Sequence, residues 1–241
     1  MKTSFTPDEL ADRWYDRREV VNLAGKFVTS ILLKREGEIF DRFWTGSDDA
    51  CLSFNDGSYV GSEAVRGYFA AMEANNAARV QFMKTLFPEE LSGRSEDQLN
   101  GVGHMRGLPI TTPVIEIAGD GLTAKGLWHI QGADNGVTPY GPLSYWTLGF
   151  LGVDFRKEEG EWKIWHVLHA EDVVCPMGES WVAPEAHEPD AQYAPLAALK
   201  KPPYSVCRQN YVPYTPDRAF TPPPALPEPY EHFAETFSYG V

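Results

Sequence analysis

Apolar residues follow a helical period in the first third of the chain. The sequence Thr6-Pro7-Asp8-Glu9 offers a capping residue, a proline suited to the first helical position and a capping-box glutamate. Apolar residues then recur every three or four positions, which predicts a long helix to about residue 33: Val20, Leu23, Ala24, Phe27, Val28, Ile31 and Leu32. A short helix over residues 38–44 and a third over residues 63–75 are also predicted.

The pattern changes to one typical of strands in the second half. Strands are predicted over residues 110–118, 122–131, 143–156 and 161–169, with a loop from 132 to 142. Residues 50–60 resemble a hairpin that joins the same sheet. Residues 77–100 are mixed, and we interpret them as helical pieces of an insertion lying over the domain, with a capping box from Ser95 to Gln98. Helices followed by a meander favour an α+β domain over parallel βαβ units.

Prolines dominate the chain beyond Pro176, and at this density they exclude helix and central strand. Aromatic residues are interleaved with them, although disordered segments are poor in aromatics. These residues are Tyr193, Tyr204, Tyr211, Tyr214, Phe220, Tyr230, Phe233, Phe237 and Tyr239. We therefore predict a domain over residues 1–175 and an extended strap over residues 176–241, packed on its own domain or on a neighbouring subunit.

Charge and cysteine content exclude several classes of function. Acidic side chains number 34 and basic ones 21, and the formal net charge of −13 repels nucleic acid and anionic membranes. No apolar run approaches the roughly 20 residues that span a bilayer, and the N-terminus shows no signal-peptide pattern. We expect a cytoplasmic protein. Three cysteines, far apart and without a CxxC pair, argue against a disulfide framework or zinc site.

Two histidines are the main candidates for chemistry. His129 lies in the middle of a predicted strand and shares one face with Gln131, because side chains alternate along a strand. His104 precedes the neighbouring strand, and a hairpin at residues 119–121 could bring the two histidines to one substrate. Two neutral histidines of different pKa can act as general acid and general base. The alternative is that each is a core histidine bonded to a backbone carbonyl.

The remaining candidates are weaker. His166 and His169 have an odd spacing, so at most one of them faces a pocket. We assign His166 to substrate binding, together with Gln131, Tyr145 and Trp146. Metal ligation by His104, His129 and a carboxylate stays open. The spacing of these residues matches no metal-binding motif, however, and we expect no metal. The chain has no nucleophile elbow and no dinucleotide fingerprint, which favours chemistry without a cofactor.

The predicted strands 122–131 and 143–155 are apolar on both faces, so both sides of the sheet should be covered. Helices can cover one side. A second copy of the chain would cover the other, and we expect a homodimer or homotrimer.

The order of these segments resembles the SnoaL-like branch of the nuclear transport factor 2 (NTF2)-like superfamily. The resemblance runs from Asp12 to Val174 and rests on EIFDRFW, YVG before SEAVRGYF, GHM, GLTAKGLWHIQG and GEWKIWH. It implies a curved, mainly antiparallel sheet wrapped around N-terminal helices to leave a conical pocket. The proline-rich and aromatic-rich extension lies outside the shared domain.

Within this superfamily the resemblance is to the scytalone dehydratases, which use two pocket histidines at places similar to His104 and His129. Their Tyr-Asp pair and strand tyrosine are missing here, where Ile31-Leu32-Leu33 and Leu52-Ser53-Phe54 stand. The resemblance implies a cofactor-independent lyase or dehydratase with His129 as base and His104 as acid or hydrogen-bond donor. Its substrate would be a hydroxylated aromatic or polycyclic molecule, and a deformylating lyase on lignin-type diaryl compounds is one such enzyme. A non-catalytic module that binds a small molecule or a protein, and an isomerase or cyclase, remain alternatives.

Overall fold

Helices precede most of the sheet in the computed structural model, which describes residues 5–217 and 224–240. In these residues the helices are α1 (Pro7–Leu32), α2 (Glu36–Phe43), α3 (Ser62–Leu86) and α4 (Glu96–Leu99). The strands are β1 (Cys51–Phe54), β2 (Gly57–Val60), β3 (His104–Gly107), β4 (Ile110–Ile117), β5 (Thr123–Thr138), β6 (Gly141–Glu158), β7 (Glu161–Pro176) and β8 (Val206–Cys207). Two short 3₁₀ helices, Ala191–Ala198 and Phe233–Glu235, lie in the extension.

The strands form one sheet in the order β3-β5-β6-β7-β1-β2-β8, and β4 also pairs with β5. Strand β1 runs parallel to β7, whereas the other pairs are antiparallel. The ladder between β5 and β6 is continuous from Thr123–Arg156 to Thr138–Gly141. The predicted fold class is therefore confirmed: a curved, mainly antiparallel sheet packed on N-terminal helices.

Helix α1 begins where the sequence predicted. The Thr6 side chain accepts a hydrogen bond from the Glu9 backbone N–H, and the Glu9 carboxylate accepts one from the Thr6 N–H. These reciprocal bonds satisfy two of the amides that a helix start leaves unpaired. The buried side of α1, with Val20 and Phe27, packs against the inner face of the sheet. Phe27 makes edge-on contacts with Trp44 and Phe69, which tie α1 to α2 and α3.

Two predicted boundaries were wrong. Helix α3 continues to Leu86 instead of ending near residue 75, because Met83 is buried and Arg79 bonds the carbonyl of Val137. The predicted loop from 132 to 142 is mostly strand. That segment is rich in residues with low strand propensity, but β3 pairs with it on one side and β6 on the other. Pairing on both edges outweighs the local preference.

The extension packs on its own domain. Strand β8 pairs with β2, and the ring of Tyr204 lies 5.1 Å from that of Tyr59. On the outer face of the sheet, Tyr211 and Tyr239 cover apolar residues of β5 and β7. This part of the outer face, which the sequence assigned to a second subunit, is thus covered by the same chain. The homodimer or homotrimer stays a prediction, and Phe220 lies outside the described residues.

None of the described helices is long and apolar enough to span a membrane.

Candidate functional site

A cavity of about 200 Å³ lies between α1, α3 and the inner face of the sheet. Most of its wall is apolar and aromatic, with Phe27, Ile31, Leu52, Phe54, Tyr68, Phe69, Met72, Leu108, Ile130, Leu151 and Val167. Polar side chains complete the lining: Lys34, Glu36, Asn75, Asn76, Arg79, His104, Arg106, His169 and Lys201. A concave apolar site with a few convergent polar groups is the usual form of a small-molecule site.

His104 is held between a cation and a carboxylate. Lys34 Nζ lies 2.9 Å from His104 Nδ1, and His104 Nε2 lies 2.7 Å from Asp134 Oδ1. An ammonium group can only donate, so Nδ1 accepts from Lys34 and Nε2–H donates to Asp134. Both ring nitrogens are therefore engaged inside the protein. Lys34 lies just beyond the C-terminal end of α1. Its backbone is left-handed, with φ 55°, which is uncommon for a residue other than glycine.

Arg106 continues this chain of charges from Asp134 to Glu171. Its Nε lies 3.6 Å from Asp134 Oδ2, and its Nη2 donates to Glu171 Oε1 over 3.0 Å. Glu171 Oε1 in turn lies 3.9 Å from His169 Nε2. Three side chains, Asp134 on β5, Arg106 on β3 and Glu171 on β7, thus connect the two inward-facing histidines, His104 and His169.

His169 lines the cavity with a ring nitrogen that lacks a hydrogen bond. The residue is 7 % exposed, and its Nε2 has no hydrogen-bond partner within the described residues. Burial lowers the pKa of His169 to about 4, so the imidazole is neutral at pH 7. An unpaired buried nitrogen is costly unless a ligand supplies its partner. The lone pair of a neutral histidine facing an apolar cavity can accept a proton from a bound molecule.

Burial also shifts the ionisation of the groups around His104. It lowers the pKa of Lys34 and, despite the hydrogen bond to Asp134, that of His104. For Asp134 burial raises the pKa, but the His104 hydrogen bond and the nearby charges outweigh it, and the net pKa is below the ordinary value. Lys34 is thus a cation that loses its proton more readily than a solvated lysine.

The structure does not bring His104 and His129 together. His129 is exposed on the outer face of β5, where it contacts the ring of Phe150. Gln131 shares that exposed face. The alternation along β5 was predicted correctly, but the face was wrong: Trp128 and Ile130 point to the core and the cavity, so the odd-numbered residues point away.

The other predicted binding residues are dispersed. Tyr145 lines a side cavity next to the main one. His104 and Asp134 also line this side cavity. Trp146 is exposed on the opposite face. His166 does not line the main cavity. Its Nδ1 lies 2.9 Å from Asp154 Oδ2, and its Nε2 donates to the carbonyl of Asp49.

A bulge in β7 decides which of its histidines faces the cavity. The pairing shifts between Asp154–His166 and Phe155–Ile164, which leaves Trp165 as an extra residue. One extra residue in a strand moves the side chains after it to the opposite face of the sheet, up to the next bulge. His166 therefore points outward, whereas His169 points inward, opposite Leu151.

Sequence reasoning missed most of the charged residues at the site. Arg106 follows His104 at the strand spacing of two, a signal that was available but not used. Lys34 follows directly after Ile31-Leu32-Leu33, the place where the family resemblance directed attention to a Tyr-Asp pair. Asp134 lay in a segment predicted as loop, so its face could not be assigned. Within the described residues, no group of three or more histidine, cysteine or carboxylate side chains could hold a metal ion.

Solved structures with a similar fold include two of a hexachlorocyclohexane dehydrochlorinase. The type 2 form of this enzyme, LinA, is 16% identical to this chain with a TM-score of 0.52, covering 72% of this chain and 97% of LinA. A second LinA structure is 16% identical with a TM-score of 0.51, covering 73% and 98%. An NTF2-like superfamily protein from Salmonella enterica is 12% identical with a TM-score of 0.47, covering 70% and 99%.

No family model and no curated protein sequence matches this chain. The low sequence identities mean that the structural similarity shows the fold and does not carry an activity with it. That fold, the one expected from the order of the sequence motifs, is the NTF2-like fold.

Proposed function

We propose that the protein is a cofactor-independent lyase or dehydratase that acts on a hydroxylated aromatic or polycyclic small molecule. The observation that carries this proposal is His169, whose buried, neutral and unpaired Nε2 faces an aromatic-lined cavity. Buried histidines that serve structure alone are normally hydrogen-bonded. A base that is neutral and free at pH 7 is what proton abstraction requires.

The cavity supplies a base and an acid for elimination. His169 Nε2 accepts a proton from a carbon of the substrate, and the C–H electron pair forms the new double bond. The bond from the adjacent carbon to its hydroxyl oxygen breaks, and Lys34 donates the proton that converts this hydroxyl into water. Burial lowers the pKa of Lys34, which makes the ammonium a stronger acid in the cavity than in solution.

We assign His104 a positioning role. Because Nδ1 accepts from Lys34 and Nε2–H donates to Asp134, neither nitrogen of His104 is free for a substrate. His104 and Asp134 together fix the Lys34 ammonium in the cavity wall. This assignment replaces the direct acid role that the sequence suggested for His104.

The shape of the site supports an aromatic substrate. Phe27, Phe54, Tyr68 and Phe69 surround the cavity, and aromatic side chains offer ring-on-ring and edge contacts to a bound ring. A deformylating lyase on lignin-type diaryl compounds fits the same machinery. His169 would take the proton from the hydroxyl of a hydroxymethyl group, the C–C bond would break to release formaldehyde, and its electron pair would form the new double bond as the hydroxyl on the adjacent carbon leaves as water with a proton from Lys34. Among the neighbours, the name dehydrochlorinase indicates that this fold can accommodate an elimination enzyme.

A non-catalytic binding module is the alternative. It would be favoured by a wholly apolar cavity with histidines bonded only to backbone, whereas His104 bonds two charged side chains and His169 Nε2 is unpaired. An isomerase or cyclase would use the same acid and base on a different substrate.

The proposal is tested by incubating purified, chelator-treated protein with a panel of aryl-propane-1,3-diols that carry phenolic hydroxyls. We expect one or more of them to be converted to a conjugated alkene, seen as a new near-ultraviolet absorbance band, with water or trapped formaldehyde as co-product. Addition of metal ions or nucleotide cofactors should not change the rate. Tight binding of these compounds without turnover would support the binding module instead.

A further inference from the structure

The cavity carries more positive charge than the rest of the molecule would suggest. The chain has a net charge of −13, yet four cationic side chains line the cavity: Lys34, Arg79, Arg106 and Lys201. Three carboxylates line it or bond to its lining: Glu36, Asp134 and Glu171. With its histidines neutral, the site therefore holds one cation in excess.

Three of the four cations have polar partners inside the protein. Lys34 donates to His104, Arg106 donates to Glu171, and Arg79 Nη1 donates to the carbonyl of Val137 over 2.6 Å. Lys201 is different. Its ammonium lies 4.2 Å from the centroid of the Phe54 ring, and no carboxylate among the described residues lies within 4.0 Å of it.

Lys201 belongs to the C-terminal extension and is fixed in place from both sides. The carbonyl of Lys200 accepts a hydrogen bond from Asn75 Nδ2 over 3.1 Å, and the carbonyl of Pro202 accepts one from Tyr59 Oη over 2.6 Å. Lys201 as a residue is exposed at the surface, while its ammonium reaches the cavity. The extension therefore closes this side of the cavity and adds a charge to it.

A cation beside an aromatic wall, with no carboxylate of the described residues at ion-pair distance, attracts an anionic ligand, because the more distant charges of Glu171 and Asp56 offset only part of its own. The contact with the Phe54 ring offsets only part of the cost of removing the ammonium from water. Burial lowers the pKa of Lys201, and a bound anion would raise it again. Arg106 lines the same cavity, but Glu171 Oε1 lies 3.0 Å from its Nη2 and Asp134 Oδ2 lies 3.6 Å from its Nε, so its charge is already matched by two carboxylates. Lys201 is therefore the cation that remains available to a ligand.

We propose that the ligand carries a carboxylate, which binds the Lys201 ammonium, so that the C-terminal extension selects aromatic acids over neutral aromatics. This inference rests on the proposed function only for the reaction that follows binding. Binding of the ligand is measured independently of turnover. The aromatic ring of the ligand would contact the apolar wall, and the carboxylate would lie beside the Lys201 ammonium, close to the Phe54 ring.

The test compares 4-hydroxycinnamate with its methyl ester, which differs in charge and little in shape. Dissociation constants are measured by isothermal titration calorimetry for the wild type, Lys201→Met, Lys201→Glu and the neighbouring control Lys200→Met. We expect the acid to bind the wild type about tenfold more tightly than the ester, as for one partly buried charge pair. Lys201→Met should remove this preference, Lys201→Glu should reverse it, and Lys200→Met should keep it.

Equal binding of acid and ester, an unchanged preference in Lys201→Met, or no binding of either compound at millimolar concentration would overturn the inference. His169→Gln separates it from the proposed function, because this variant should keep the preference for the acid. If the preference is present but no substrate is turned over, the proposed function alone fails. If turnover occurs without a preference for acids, the carboxylate subsite alone fails.

Discussion

His169 Nε2 and Glu171 Oε1 lie 3.9 Å apart at successive inward-facing positions of β7. That distance is too long for a hydrogen bond. Arg106 instead bonds Glu171 at 3.0 Å. The carboxylate is thereby engaged by Arg106, and the imidazole keeps a free nitrogen toward the cavity. The same arrangement places a negative charge near enough to stabilise His169 when it takes up a proton.

The pH dependence of catalysis should follow His169. A general base works only when deprotonated, and burial lowers the pKa of His169 to about 4. We therefore expect kcat/KM to be level near neutral pH and to fall as pH drops toward about 4. The measurement is kcat/KM against pH in buffers of constant ionic strength. A loss of activity centred near 6.5, the value of a solvated histidine, would argue against this base.

The free energy of unfolding should also depend on pH through His169. The pKa of His169 is about 4 in the folded state and about 6.5 in the unfolded chain, so the unfolded state binds more protons between these values. Neutral, buried His169 therefore contributes up to about 3 kcal/mol to the free energy of unfolding. This contribution is fully present above about pH 6.5 and is lost as pH falls toward 4. Urea unfolding of wild type and His169→Gln at several pH values measures it. Parallel curves for the two proteins would contradict the assignment.

Replacing Lys34 should impair turnover without unfolding the protein. Lys34→Met removes the proposed acid and leaves His104 Nδ1 without its donor, and a loss of about 10²- to 10⁴-fold in kcat is expected for a general acid. Lys26→Met, which replaces an exposed lysine near the end of α1, is the matched control and should keep full activity. Steady-state kinetics measure the loss in kcat, and circular dichroism checks that each variant is folded. Equal rates for the two variants would remove Lys34 from the mechanism.

Asp154 should anchor the C-terminal extension. It bonds Lys125 at 2.5 Å in a fully buried pair and accepts hydrogen bonds from the Ser238 hydroxyl and the Tyr239 backbone N–H. Asp154→Ala leaves Lys125 buried without its counter-ion, and a destabilisation of about 3–5 kcal/mol is expected. Asp41→Ala, which removes an exposed ion pair, should cost little.

Limited proteolysis provides a second readout for the same anchor. Asp154→Ala should expose the last residues of the extension, so that a protease trims them faster than in wild type or Asp41→Ala. Identical trimming of all three proteins would show that Asp154 does not anchor the extension.

The fold could be predicted from sequence because its signals are local. The cap at Thr6, the helical period of α1 and the alternation along β5 each follow from a few neighbouring residues. The interior of the site could not be predicted to the same degree. Which face of β5 is buried depends on the opposing helices, and the larger apolar residues Trp128 and Ile130 were the available signal for it.

The missed residues have a common physical cause. His169 faces inward only because a bulge at Trp165 shifts the pairing of β7, and a bulge has no distinct sequence pattern here. Asp134 lies in a strand whose low intrinsic propensity is overcome by its two neighbours. Lys201 reaches the cavity from about 100 residues beyond His104 in sequence, which only the folded chain reveals.

The most direct test of the account compares His169→Gln with His129→Gln on whichever aryl-propane-1,3-diol the wild type converts. The two histidines lie on neighbouring regions of one sheet but on opposite faces, so one variant alters the cavity and the other alters the outer surface. We expect kcat to fall about 10²- to 10⁴-fold in His169→Gln and to remain at the wild-type value in His129→Gln. Full activity in His169→Gln, or a comparable loss in His129→Gln, would contradict the account.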